Sequence, residues 1–158
     1  MIRIEHYQEA DLEGLVSLFT SAVHILGASH YEAAQLAAWA PQPPDLEQWR
    51  VRLAAVETLV ARIDSALAGF VSFEWNGHID LLFTSPHHAR RGVASRLLNM
   101  AEEAVAAEKA PAMFTEASLI ARPFFIRHGY QVVEEQLVMR RGVTLRRFAM
   151  RKSLAEPC

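Results

Sequence analysis

Cysteine is almost missing from this chain: 158 residues hold one, Cys158. A single thiol closes no internal disulfide, which predicts a protein of a reducing compartment, the cytoplasm. An excess of charge of either sign is missing too, with 16 Lys plus Arg against 18 Asp plus Glu and a net charge of -2. That balance argues against gripping nucleic acid through its phosphates, so no nucleic-acid partner is expected. No long apolar run is present either. Residues 14–31 carry no formal charge, but Ser17, Thr20, Ser21, His24, Ser29 and His30 interrupt them and the apolar residues recur at intervals. This is an amphipathic helix pattern, and no membrane partner is expected. Met1-Ile2-Arg3-Ile4-Glu5-His6 has no basic segment followed by an apolar stretch, so no secretory signal is read there. What is present, 51% apolar and 22% charged residues without repeats or low-complexity segments, predicts one globular α/β domain over residues 1–154 with a tail at 155–158.

Periodicity divides the chain. Ile2 and Ile4 alternate with polar neighbours as a short strand. Leu12, Leu15, Val16, Phe19, Ala22, Val23 and Leu26 make one helical stripe, with Gly27 as its stop. Ser29 and Glu32 form a capping-box pattern for a short helix through Trp39, and Pro41, Pro43 and Pro44 end it. Asp45, with Gln48 three residues on, caps another helix running to about Ala55. Residues 58–63, 67–75 and 78–84 are strand-like, with Asn76-Gly77 the best hairpin signal. Residues 93–108 are helical, 112–117 a strand, and 123–128 a short helix closed by Gly129. Two final strands, 131–139 and 144–150, flank a turn containing Gly142.

Chemistry concentrates where the strand 78–84 runs through Ser85-Pro86-His87-His88-Ala89 into Arg90-Arg91-Gly92-Val93-Ala94-Ser95-Arg96. A helix start presents unpaired amide donors and a partial positive charge, which suits a phosphate or pyrophosphate. Gly92 and Ala94 keep side chains small where a ligand must approach the backbone, and the arginines add cationic charge. Neither a Walker loop nor the three-glycine dinucleotide fingerprint is present.

The segment Pro86, then Ala89-Arg90-Arg91-Gly92-Val93-Ala94, resembles the signature of the GNAT acyltransferase superfamily, Gln/Arg-x-x-Gly-x-Gly/Ala at the opening of a helix. A second family motif, Asn-x-x-Ala-x-x-Phe-Tyr-x-x-x-Gly-Phe, is similar to the run from Ser118 to Tyr130, which contains Ala121, Phe124, Phe125 and Gly129. Both motifs stand in the family's order, and the resemblance covers nearly the whole chain. It implies a mixed, mostly antiparallel sheet of about seven strands, splayed between the fourth and fifth, with helices on both faces. It implies acetyl-CoA as acyl donor, transferred to a primary amine on a small molecule or a protein by direct attack in a ternary complex. By the same resemblance, backbone groups of Leu82, Phe83 and Thr84 hold the pantetheine arm and a main-chain N–H near Leu82 steadies the developing oxyanion. Arg90, Arg91, Gly92, Val93, Ala94 and Ser95 hold the pyrophosphate, and Ser118, Phe124 and Phe125 complete the cofactor site. Three positions depart from the pattern: Ala89 for Gln or Arg, Ser118 for Asn, and Phe125 for the frequent Tyr, which removes a proton donor.

His78 and Asp80 lie two apart on one strand and are the expected base and its helper, with Glu74 and Glu116 as alternatives. Tyr130 and Tyr31 are candidate acids. The resemblance puts His24, His30, Tyr31 and Trp39 over the acceptor pocket, though a packed Trp39 and surface histidines fit the sequence better. His87-His88 is not the spacing of a metal site, and none is expected. Arg140-Arg141 and Arg146-Arg147 alternate with apolar residues and are expected on a solvated face. The late strands offer an edge for a homodimer. With Phe125 unable to donate a proton, a non-catalytic acyl-CoA sensor of the same fold is the competing function.

Overall fold

The computed structural model describes residues 1–154, so Cys158 and the expected tail lie outside the described residues. Seven strands form one sheet in the order β1-β2-β3-β4-β5-β7-β6. They are β1 (Ile2–His6), β2 (Glu57–Ile63), β3 (Ala66–Phe73), β4 (His78–Thr84), β5 (Ala112–Ala117), β6 (Gln131–Arg140) and β7 (Val143–Ser153). Five α-helices accompany them: α1 (Leu12–Leu26), α2 (Ala33–Trp39), α3 (Leu46–Ala54), α4 (Val93–Ala107) and α5 (Arg122–Arg127). All neighbouring strands run antiparallel except β4 and β5, which are parallel. The expected fold class is the observed one.

The sheet divides the core in two. On one face α4 buries Val93, Leu97, Leu98, Ala101 and Val105 against Val71, Phe73, Met113 and Met150. On the other, α1 buries Leu12, Leu15, Val16, Phe19 and Val23 against Val60, Phe70 and Leu81. Each such side chain withdrawn from water contributes roughly 1.5–3 kcal/mol, so the two apolar stripes press both helices onto the sheet. No helix among the described residues is long and apolar enough to cross a membrane.

Several local expectations are refined. Gly27 does end α1, but with φ -80 and not in the left-handed region. A Cβ there would come 2.4 Å from the Val23 carbonyl oxygen and 2.7 Å from Leu36, so space, not backbone freedom, demands glycine. The capping box of α2 is one motif later than Ser29 and Glu32: Glu32 is the N-cap and its N–H donates to the Gln35 side chain at 2.9 Å. Ser29 instead meets the neighbouring His30 ring at 3.0 Å. Asp45 caps α3 as read, accepting from the N–H groups of Glu47 and Gln48.

Two features of β4 set up the site. The ladder between β4 and β5 covers only His78↔Phe114 and Ile79↔Thr115. Beyond Ile79 the strands diverge and the β5-facing edge of β4 has no strand partner. The register with β3 also jumps, from Phe73↔Ile79 to Ser72↔Leu81, leaving Asp80 as the extra residue of a β-bulge. A bulge re-aims side chains and sharpens the local twist. At the other side of the sheet, β6 is the edge strand and exposes Val133, Leu137 and Met139.

Candidate active site

The splay opens onto a cavity of about 600 Å³ on the α1 face of the sheet. Its apolar wall includes Phe19, Tyr31, Trp39, Trp49 and Phe83. These rings meet edge to face: Phe19 on Trp49 and on Phe83, both at 4.8 Å, and Tyr31 on Trp39 at 5.5 Å. The sequence spreads these rings over α1, the following loop, α2, α3 and β4, and only the sheet with its covering helices makes them one surface. Trp39 and Tyr31 therefore do cover the cavity, while the His24 ring turns to the Ala40 carbonyl at 2.7 Å and His30 is exposed.

The cavity floor is polar. Asp80 lines it, but both carboxylate oxygens accept from the Arg52 guanidinium at 2.9 Å. The bulge aims Asp80 at α3, and a bidentate pair of this kind engages both of its oxygens. Asp80, expected to act through a water or to orient the cation, is thus engaged by Arg52, a partner 28 residues away that no local pattern signals.

His78 is also revised. Its Nδ1 faces Glu74 at 2.8 Å and its Nε2 faces Glu116 at 2.8 Å, with the ring tilted on Phe114 at 5.1 Å. The hydrogen bond to Glu116 outweighs partial burial and, with Glu74, raises the His78 pKa to about 9. Both ring nitrogens are thus engaged by carboxylates that favour the protonated ring, and His78 does not line the cavity, which disfavours it as the base. The same contact holds Glu116 below the usual carboxylate range, with Arg147 adding to that effect. Glu116 lines the cavity, and its Oε2 makes no hydrogen bond among the described residues.

Tyr130 is corrected as well. It is buried at 2%, and its hydroxyl donates to Glu102 of α4 at 2.7 Å, where Lys152 also donates at 3.0 Å. Burial, reinforced by Glu102, raises its pKa. It does not line the cavity and packs its ring on Phe125 at 5.1 Å. Tyr31, by contrast, lines the cavity; its oxygen accepts from the Leu119 N–H at 3.0 Å, and burial raises its pKa.

On the far face, α4 begins at Gly92, whose φ is +80. That left-handed conformation favours glycine, and a Cβ there would meet none of the described residues within 4 Å, so the approach to the backbone is open. The first amide to find a helical partner is that of Arg96, which donates to the Gly92 carbonyl at 3.0 Å. The N–H groups of Val93, Ala94 and Ser95 precede it and have no partner within the helix. Arg90, with φ 63, and Arg91 are both exposed beside them. The Val93 side chain is buried in the core, so only its amide is available to a ligand. Ser95 Oγ and His128 Nε2 lie 3.0 Å apart, tying the first turn of α4 to α5. Phe124 stacks on that His128 at 4.3 Å, Phe125 is buried and reaches the cavity, and Ser118 Oγ accepts from the Ala121 N–H at 3.1 Å. Leu82, Phe83 and Thr84 are half-buried along the open edge of β4.

The arginine pairs of the β6–β7 hairpin do not simply face solvent. Arg140, Arg141, Arg146 and Arg147 all line the cavity, because the hairpin docks on α2: Arg141 donates to the Ala38 carbonyl at 2.9 Å, and Gln35 donates to the Thr144 carbonyl at 3.1 Å. Nothing local in the sequence signals this fold-over.

The chain and its fold are similar to known proteins. Residues 27–154 match the model of the acetyltransferase (GNAT) domain. The chain is 37% identical over 150 residues to YafP of Escherichia coli K12, described as an uncharacterised N-acetyltransferase, covering 95% of both chains. Among solved structures, a GCN5-related N-acetyltransferase from Rhodopseudomonas palustris superposes with a TM-score of 0.93 at 29% identity, covering 96% of this chain and 95% of that one. The PaiA N-acetyltransferase from Thermoplasma acidophilum, solved with coenzyme A, shares the fold with a TM-score of 0.78 at 19% identity, covering 97% and 99%. With the motif at Gly92, the split sheet and these matches in agreement, the chain belongs to the GNAT acetyltransferase family.

Proposed function

We propose that this protein transfers an acetyl group from acetyl-CoA to a primary amine bound in the cavity, by direct attack within a ternary complex. The observation that carries the reading is the β4 edge, unpaired beyond Ile79 and open to a cavity whose wall includes Glu116. The residues present suit acetyl-CoA: the amides of Val93, Ala94 and Ser95 and the open approach at Gly92 suit a pyrophosphate, and the edge at Leu82, Phe83 and Thr84 suits an extended amide-bearing arm. When bound, acetyl-CoA supplies a thioester carbonyl with a good leaving group.

Glu116 is the proposed proton acceptor. Its carboxylate is ionised, attracts an ammonium, and takes the proton through a water; His78 holds it in place and is a positioning residue. Asp80, locked to Arg52, shapes the floor beside it. A thiol pKa near 8.5 lets the thiolate leave with little help, which accommodates Phe125, and the Tyr31 hydroxyl at the cavity is the proposed donor for final protonation. No covalent relay is proposed, because the Ser118 hydroxyl at the cavity accepts from an amide and is bonded to no base among the described residues.

Release of coenzyme A over a panel of amines tests the reading. Turnover with at least one amine, first order in both substrates at low concentration, is the expected result. Binding of acetyl-CoA without turnover of any amine would instead favour the acyl-CoA sensor.

A further inference from the structure

We infer that the acceptor is an aromatic α-amino acid, held by its carboxylate at Arg147 while its ammonium faces Glu116. This rests on the acetyl-transfer reading and deepens it. Glu116 of β5 pairs with Ala149 of β7, and Arg147 lies two residues from Ala149, so both side chains project from the same face of the sheet as diagonal neighbours. Both line the cavity. The Arg147 Nε donates to Gln136 at 2.8 Å, and its two terminal nitrogens make no hydrogen bond among the described residues. A planar guanidinium with its terminal donors unengaged suits a carboxylate, and the adjacent Oε2 of Glu116 suits an ammonium one carbon away.

Charge around the pair points the same way. Of the carboxylates at the cavity, Asp80 has both oxygens on Arg52, and Glu116 shares one oxygen with His78 and keeps Oε2 for the ammonium. Asp45 is engaged in capping α3. Of the cations at the cavity, only Arg52 and Arg146 are bonded to acids among the described residues, the latter to Glu135 at 2.8 Å. Arg140, Arg141 and Arg147 therefore leave the hairpin wall positive. That wall is not the pyrophosphate cradle, since residues 90–95 do not line the cavity and α4 packs on the opposite face. Trp39, Trp49 and Phe83 are only half-buried and present ring surface to the same space, where a flat apolar side chain stacks favourably.

Calorimetry on the coenzyme A-loaded protein, titrated with L-phenylalanine and with 2-phenylethylamine, tests this without turnover. The two probes differ by the carboxylate alone. Phenylalanine should bind at least about tenfold tighter, Arg147→Gln should reduce the ratio below about threefold, and Arg147→Lys should keep an intermediate ratio. Unchanged circular dichroism would show that the variants fold. Binding of neither probe, equal binding of both, or a ratio that survives Arg147→Gln overturns the inference. Failure of the parent reading looks different: phenylalanine would bind with the expected preference yet never be acetylated.

Discussion

His78 shows how two carboxylates raise the proton affinity of an imidazole. Its pKa, about 9 in the folded protein against 6.5 ordinarily, means that its ion pairs stabilise the fold fully below about pH 6.5. That contribution is lost as pH rises through about 9. His78→Gln should therefore lower stability by about 1 kcal/mol near pH 6, a figure discounted for the exposure of Glu74 and Glu116. By about pH 10 the gap to the parent protein should close, and urea unfolding at the two pH values measures it. A gap of equal size at both would mean that the ring acts by packing on Phe114 instead. At the same scale, Asp80 shows what a single inserted residue does: the bulge gives its carboxylate to Arg52, which a two-residue spacing on a regular strand does not imply.

Among the elements, the β3–β4 hairpin and β5 meet at Gly77. Its φ is +103, and a Cβ there would lie 1.9 Å from the Ala112 carbonyl oxygen, which is backbone and cannot swing aside. The Gly77 carbonyl accepts from the Phe114 N–H at 2.9 Å, immediately before the short parallel ladder. Gly77→Ala should thus cost more than about 3 kcal/mol, combining left-handed strain with a displaced β5. Thermal melts give the loss directly, and a cost below about 1 kcal/mol would show that β5 can yield at that end. The hairpin signal at Asn76-Gly77 was legible in the sequence, but the reason for its glycine lies on a strand 35 residues away.

For the whole molecule, ligand binding and folding are linked. Acetyl-CoA at about a hundred times its dissociation constant should stabilise the native state by about 2.7 kcal/mol, raising Tm by roughly 5–10 °C for a chain of this size. Gly92→Glu places bulk and negative charge at the amide fan and should abolish that shift, although no described residue lies within 4 Å of the new Cβ. Differential scanning calorimetry with and without the donor checks both statements. A variant that kept the full shift would move the pyrophosphate away from α4.

Periodicity and turn chemistry act over a few residues, so the strands, four of the five helix starts, the left-handed Gly129 and the two motifs around Gly92 and Phe125 could all be read along the chain. The amide fan was legible for the same reason: a helix start carries its donors whatever surrounds it. Proton affinity and charge pairing are decided by neighbours in space. Glu116 beside His78, Arg52 on Asp80 and Tyr130 turned to Glu102 join residues 28 to 38 positions apart in different elements, Arg147 reaches the cavity only through the hairpin's fold-over, and no local pattern encodes any of them. The amino-acid order determined which backbone would hold the donor, and tertiary packing decided which side chains meet the acceptor, because a carboxylate or guanidinium takes its role from whatever the fold sets within a few ångströms of it.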